Sequence, residues 1–179
     1  RTSDPLRAIG ENFATMVTTT HEMTVTAGDM LFERRASPET RTELRRQDRK
    51  VNQMQRAIRK KVVAHMSVPG NRADVPYCLL VMTLVKDVER LGDYAKNVSE
   101  ITDIRPEPLP DDEITHELVE IRKGVEAAYQ HALDIFTASN EERAIELIRE
   151  GRDIAQRCDA LVRQISRSAH DAATTTALV

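Results

Sequence analysis

Aromatic side chains are scarce in this sequence, at 3% of 179 residues. A β-sandwich draws on aromatic and β-branched residues for its strands, so the scarcity turns the reading towards helices. It also leaves few rings for stacking on bases, and no nucleic-acid-binding motif is present. Cysteine is nearly absent. Cys78 and Cys158 match no zinc or redox spacing, and both stand among apolar residues, where a thiol serves as a small core side chain. A disulfide scaffold is not expected, and a reducing cytoplasm is the default setting. Net charge is only −3, so no global field draws the chain to nucleic acid or anionic lipid. The longest apolar run, Tyr77 to Val85, is broken by Thr83 and falls well short of the ~20 residues a membrane span requires. No signal peptide opens the sequence, which begins at Arg1.

Apolar residues make up 40%, enough for a core, and charged residues 31%, a mixture that suits long amphipathic helices. The fold class expected is all-α. Proline punctuates it: Pro5, Pro38, Pro69 and Pro76, then Pro106, Pro108 and Pro110. Each costs about 3 kcal/mol inside a helix, so helices fall between them. The first runs from about Asp4 to Arg35, capped by Ser3 or Asp4, with Thr18 to Thr20 as a weak stretch. Phe13, Met16, Val17, Met23, Ala27, Met30 and Leu31 form its inner stripe. The second opens at Ser37-Pro38 and runs to about Ser67, burying Leu44, Val51, Met54, Ile58, Val62 and His65 or Met66. Pro69-Gly-Asn71 is a turn. The third, about Asp74 to Thr102, is apolar nearly all round in its first half, which places that half in the middle of a bundle.

Residues 105–110, Arg-Pro-Glu-Pro-Leu-Pro, read as a stiff linker. A fourth helix follows from about Asp111 to Ala138. Ser139-Asn-Glu-Glu142 reads as a capping box opening a fifth, to about Asp171. Thr174 to Val179 resembles the start of a further element that the chain does not contain. A weak repeat links the second and fifth helices: Arg46-Gln-Asp-Arg49, Val51-Asn-Gln53 and Ala57-Ile58 recur as Arg149-Glu-Gly-Arg152, Ile154-Ala-Gln156 and Ala160-Leu161, at a constant offset of 103. The domains expected are therefore 1–104, a three-helix unit, the linker 105–110, and 111–179, a second and incomplete unit.

The sharpest chemical feature is Glu89, Asp93 and Asn97, each four residues apart and so on one helical face. Asp48 and Asn52 make a similar pair on the neighbouring helix. Facing one another, the two rows supply hard oxygen ligands for iron(III), magnesium, manganese or calcium. Against this stands ordinary pairing with Lys86, Arg90 or Lys96 on a solvated face. Gly92, costing about 1 kcal/mol in a helix, suggests close approach of a backbone or ligand.

The paired motifs Asp48-Arg-Lys-Val-Asn52 and Glu89-Arg-Leu-Gly-Asp93-Tyr-Ala-Lys-Asn97 resemble the signature of the PhoU family, with Asp74-Val-Pro76 resembling its Asp-Leu-Arg turn. The resemblance implies tandem three-helix units and a non-enzymatic, cytoplasmic regulator of phosphate uptake and phosphate-starvation signalling. It further implies a metal ion (iron, zinc or magnesium) held by Asp48, Asn52, Glu89, Asp93 and Asn97. The partners it implies are a phosphate ABC transporter ATPase and a membrane sensor histidine kinase, and the assembly expected is a homodimer. No catalytic residue, organic cofactor, nucleic-acid partner or membrane insertion is implied. Gly151 and Ala155 stand where the repeat would place Asp48 and Asn52 and cannot ligate, and the sixth helix with its own acidic motif is absent, so a second metal site is not expected.

The second helix also concentrates Arg41, Arg45, Arg46, Arg49, Lys50, Arg56, Arg59, Lys60 and Lys61. They read either as a docking face for an anionic partner or as a solvated face paired with acidic neighbours. Glu113-Ile-Thr-His116 is half of a di-iron motif, which keeps a ferritin-like di-iron oxidase as an alternative, although no second Glu-x-x-His occurs. A cytosolic domain of a sodium–phosphate transporter is the other alternative.

Overall fold

A computed structural model of the chain describes residues 4–179. Among these there are six α-helices and no strand: α1 (Pro5–Phe32), α2 (Pro38–Met66), α3 (Val75–Ile104), α4 (Glu113–Ala138), α5 (Glu141–Ile165) and α6 (Ala172–Leu178). A 3-10 turn at Arg72–Asp74 leads into α3.

The starts follow from capping chemistry. The Asp4 carboxylate accepts from Leu6 N–H at 3.0 Å and its carbonyl accepts from Ala8 N–H, placing Pro5 at the first helical position. Ser3 lies outside the described residues. The threonine stretch does not interrupt α1. Thr15, Thr18, Thr19 and Thr24 each donate to the carbonyl four residues back, and buried Thr20 donates to Met16 and Val17, so each of these hydroxyls is satisfied within the helix. Ser139 corrects the expected capping box. It adopts φ 53°, the left-handed conformation that closes α4, and its N–H donates to Ile135. Having closed one helix it cannot open the next, and Asn140 caps α5 by accepting from Arg143 N–H.

The chain divides into two compact units, residues 1–24 with 38–96, and 25–37 with 97–179. These bounds cut through α1 and α3 rather than falling at the linker, because 28- and 30-residue helices outrun a single packing layer. In the first unit Ile9, Phe13, Met16, Val17 and Met23 are buried from α1, Leu44, Val51, Ile58 and Val62 from α2, and Cys78, Val81, Val85, Val88 and Ala95 from α3. Burial pushes the Cys78 thiol up, so it stays protonated as a core side chain. The first half of α3 is not central, however. Leu79 and Leu80 are more than half exposed, because helices cover only the side carrying Cys78 and Val81.

In the second unit Ile114 and Ile121 of α4 pack with Leu161 and Ile165 of α5 and Leu178 of α6. The final element is thus represented, as a seven-residue helix. Arg105 anchors the linker by donating to the Glu107 and Pro108 carbonyls and to Thr174 Oγ1. Asp112 caps α4 through Thr115 N–H and accepts from His170 Nε2 at 2.8 Å, and Asp171 caps α6 through Thr174 N–H.

The Thr115 backbone N–H, helped by His170, holds the Asp112 carboxyl below the usual aspartate range, and the Thr174 N–H does the same for Asp171. A depressed carboxylate contributes stability above its unfolded pKa of about 4 and loses it as pH falls through the folded value. The thermal unfolding temperature should therefore fall on acidification below about pH 4, and less steeply in Asp112→Asn, which keeps a capping oxygen but does not titrate. An unchanged slope in that variant would show that Asp112 is not part of the acid response.

Candidate functional site

The two oxygen-bearing rows lie at one helix–helix contact. A methyl built on Gly92 of α3 would sit 3.5 Å from Val51 of α2, and 3.4 and 3.7 Å from Thr20 and Met23 of α1. Asp48 and Asn52 stand three before and one after Val51, and Glu89 and Asp93 stand three before and one after Gly92. Equal offsets on antiparallel helices bring both pairs to the same edge of the contact. The nearest neighbours of Gly92 are side-chain methyls at ordinary contact distance. The glycine therefore reports close packing of side chains from α1 and α2 and not a backbone crossing, correcting that part of the reading of its spacing.

Convergence of the helices is not convergence of the ligand atoms. Glu89, with a side chain only 11% exposed, lies 2.5 Å from Lys86 Nζ on its own helix. Asp93 lies 3.8 Å from Lys96 Nζ. Asn52 spends its amide on the Asp48 carbonyl, at 3.1 Å. Asn97 is exposed one turn further along α3. Among the described residues no group of three or more His, Cys, Asp or Glu side chains is disposed to hold an ion. As they lie, the five residues do not form a coordination shell; each carboxylate of the α3 row is matched by a lysine three residues away.

Two polar networks were not legible from motifs. Buried His65 presents Nε2 to Asp74 Oδ2 at 2.8 Å and Nδ1 to Asn71 Nδ2 at 3.1 Å. The amide can only donate, so Nδ1 accepts and the proton sits on Nε2. Asn71 also donates to the His65 carbonyl, and together they fix the turn between α2 and α3. An open cleft of about 640 Å³ beside it is lined by Pro5, Ala8, Lys61, Ala64, His65, Val68 and Asn71. Since the imidazole is fully engaged, Lys61 is the charged group this cleft offers.

In the second unit Arg122 of α4 reaches Asp29 and Glu126, approaches Glu33 at 3.6 Å, and lies over the Phe32 ring. The signal that would have found it is Gly28, a glycine inside α1. Glu113 and His116, the half di-iron motif, are both exposed, and His116 pairs with Asp111.

Comparison with known proteins follows the same lines. A family model described as PhoU domain matches residues 13–102. No curated protein sequence matches the chain. Among solved structures, the phosphate transport system regulatory protein PhoU from Streptococcus pneumoniae aligns with a TM-score of 0.82 at 19% identity, over 96% of this chain and 82% of that one.

Proposed function

The chain belongs to the PhoU family, and from that premise we propose that it regulates phosphate uptake and phosphate-starvation signalling by protein contact, without catalysis. The observation carrying this reading is the meeting of the two motif-bearing helices at Val51 and Gly92, within the span that the family model covers. The polar clusters add support of a different kind. His65 secures a turn, His170 and Asp112 a helix start, and Arg122 a helix pair, so each is occupied in holding backbone. The partners are a phosphate ABC transporter ATPase and a membrane sensor histidine kinase, met in the cytoplasm by a homodimer. Among the described residues no helix is long and apolar enough to cross a membrane. Binding of the full chain to each purified partner, followed by calorimetry, tests the reading. Binding to neither would remove it.

Metal enters the proposal as a rearranged state. An ion held by Asp48, Asn52, Glu89, Asp93 and Asn97 would have to displace Lys86 from Glu89 and Lys96 from Asp93. Lysines of this kind are worth up to about 1 kcal/mol each, so Lys86→Met with Lys96→Met should tighten uptake of iron, zinc or magnesium by about fivefold or more. Asp93→Ala should abolish it. Elemental analysis of protein purified without chelator reads both, and equal metal in wild type and Asp93→Ala would end this part of the proposal.

A further inference from the structure

Helix α2 carries nine Lys and Arg against three Asp and Glu, a surplus of six on a chain whose net charge is −3. The structure shows where they point. Arg45, Arg49, Arg56, Arg59, Lys60 and Lys61 are all exposed. Arg46 takes Glu43 at 2.6 Å, but among the described residues Arg45, Arg49, Arg56 and Lys60 have no carboxylate within reach. The solvated face is therefore not the self-neutralised one that acidic neighbours would produce. Those four recur at spacings of 4, 7 and 4. At 100° per residue they stay within about a sixth of the helix circumference, forming a row roughly 22 Å long and parallel to the axis.

The internal repeat shows that the fold does not require all of them. At the offset of 103, the inward residues of α2 keep their character in α5: Leu44 matches Leu147, Val51 matches Ile154, Ile58 matches Leu161 and Val62 matches Ile165. The outward ones keep it only in part: Arg46, Arg49 and Lys60 stay basic as Arg149, Arg152 and Arg163. Arg45, Arg56 and Arg59 stand where α5 has Ile148, Asp159 and Val162, and α5 has five Arg against six Asp and Glu. Two helices with one inner pattern thus differ in net charge, a surplus of six basic residues on α2 against one acidic on α5.

We infer that the outer face of α2 is a docking surface for an acidic face of a protein partner. This rests on the reading above that the chain acts by protein contact. The row is three-quarters arginine, whose planar fork pairs two-pronged with fixed carboxylates. An anionic membrane fits less well. Durable adsorption takes an apolar or lipid anchor beside the charge, and the apolar stripe of α2 (Leu44, Val51, Ile58, Val62) is buried in its own bundle.

The test compares wild type with Arg45→Gln/Arg49→Gln/Arg56→Gln/Lys60→Gln, with the same four changed to Glu, and with an α5 control, Arg149→Glu/Arg152→Glu/Arg163→Glu. All are full chains checked for wild-type helicity. Each is titrated against the transporter ATPase, the kinase cytosolic domain, and vesicles of equal parts phosphatidylcholine and phosphatidylglycerol, from low salt to about 0.3 M. For the protein partner that wild type binds, neutralisation should weaken affinity by about tenfold and reversal by about a hundredfold, while the α5 control stays within about twofold. Protein binding that survives α2 reversal overturns the inference and leaves the functional reading standing. Binding of vesicles alone overturns it in favour of a lipid surface. Wild type binding neither protein removes the functional reading and this inference with it.

Discussion

Replacing Arg122 by alanine should lower the unfolding free energy by about 2–3 kcal/mol, and Gly28→Ala should change the sign of its effect according to whether Arg122 is present. The Arg122 side chain is 15% exposed and faces Asp29 and Glu126, each about one-quarter exposed, with Glu33 further out. It also donates to the Val25 carbonyl at 3.4 Å and covers the Phe32 ring at 5.8 Å. Its removal strips Glu126 of its cation and leaves Asp29 and Glu33 with the exposed Arg35 alone, and stranding such groups costs more than the pairs are worth when formed. Partial exposure reduces that cost below the 3–5 kcal/mol of a fully buried pair.

Gly28 is the space the guanidinium occupies: a methyl there would stand 2.7 Å from Arg122 Cζ. In wild type, Gly28→Ala displaces a group fixed at several points and should destabilise by roughly 1–2 kcal/mol. In Arg122→Ala the clash is gone, and the same change should stabilise by up to about 1 kcal/mol through helix propensity. Urea denaturation of the four proteins reads the cycle. A stabilising Gly28→Ala in wild type would show that the guanidinium does not rest there.

Neither residue was picked out from the sequence. Periodicity reports which face of a helix is apolar, and it found α1 to α4 within a few residues, while α5 stops at Ile165, six residues before the expected end at Asp171, which instead caps α6. It cannot report which distant helix supplies the cover. Leu79 and Leu80 extend an apolar run and so were read as central, yet one flank of α3 is open there. Ser139 and Asn140 are both good caps by type; only the backbone at Ser139, already turned left-handed, decides between them. The row Asp48, Asn52, Glu89 and Asp93 was legible as positions on two faces, because spacing fixes direction. Its ligand geometry was not, because Lys86 and Lys96 compete for the same carboxylates at a distance no spacing rule ranks.

The repeat makes a sharper separation between what the fold needs and what it leaves free. Ile58 and Leu161 occupy equivalent positions at the offset of 103 and are 0% and 4% exposed. Arg59 and Val162 are their immediate neighbours, equivalent in the same way and both facing solvent. Ile58→Ala should cost about 3–4 kcal/mol and Leu161→Ala about 2–4, since each removes three carbons from a filled core and leaves a cavity. Arg59→Ala and Val162→Ala should each lie within about 0.5 kcal/mol of wild type, despite one being a cation and the other a β-branched hydrophobe. Chemical denaturation of the four variants measures this directly. The pattern expected is agreement along each pair and disagreement between the pairs. A large loss at Val162 would mean that its face is covered by another chain in solution. A small loss at Ile58 would mean that α2 is held by less than its fully buried stripe, and the common interior of the two units would lose its energetic basis.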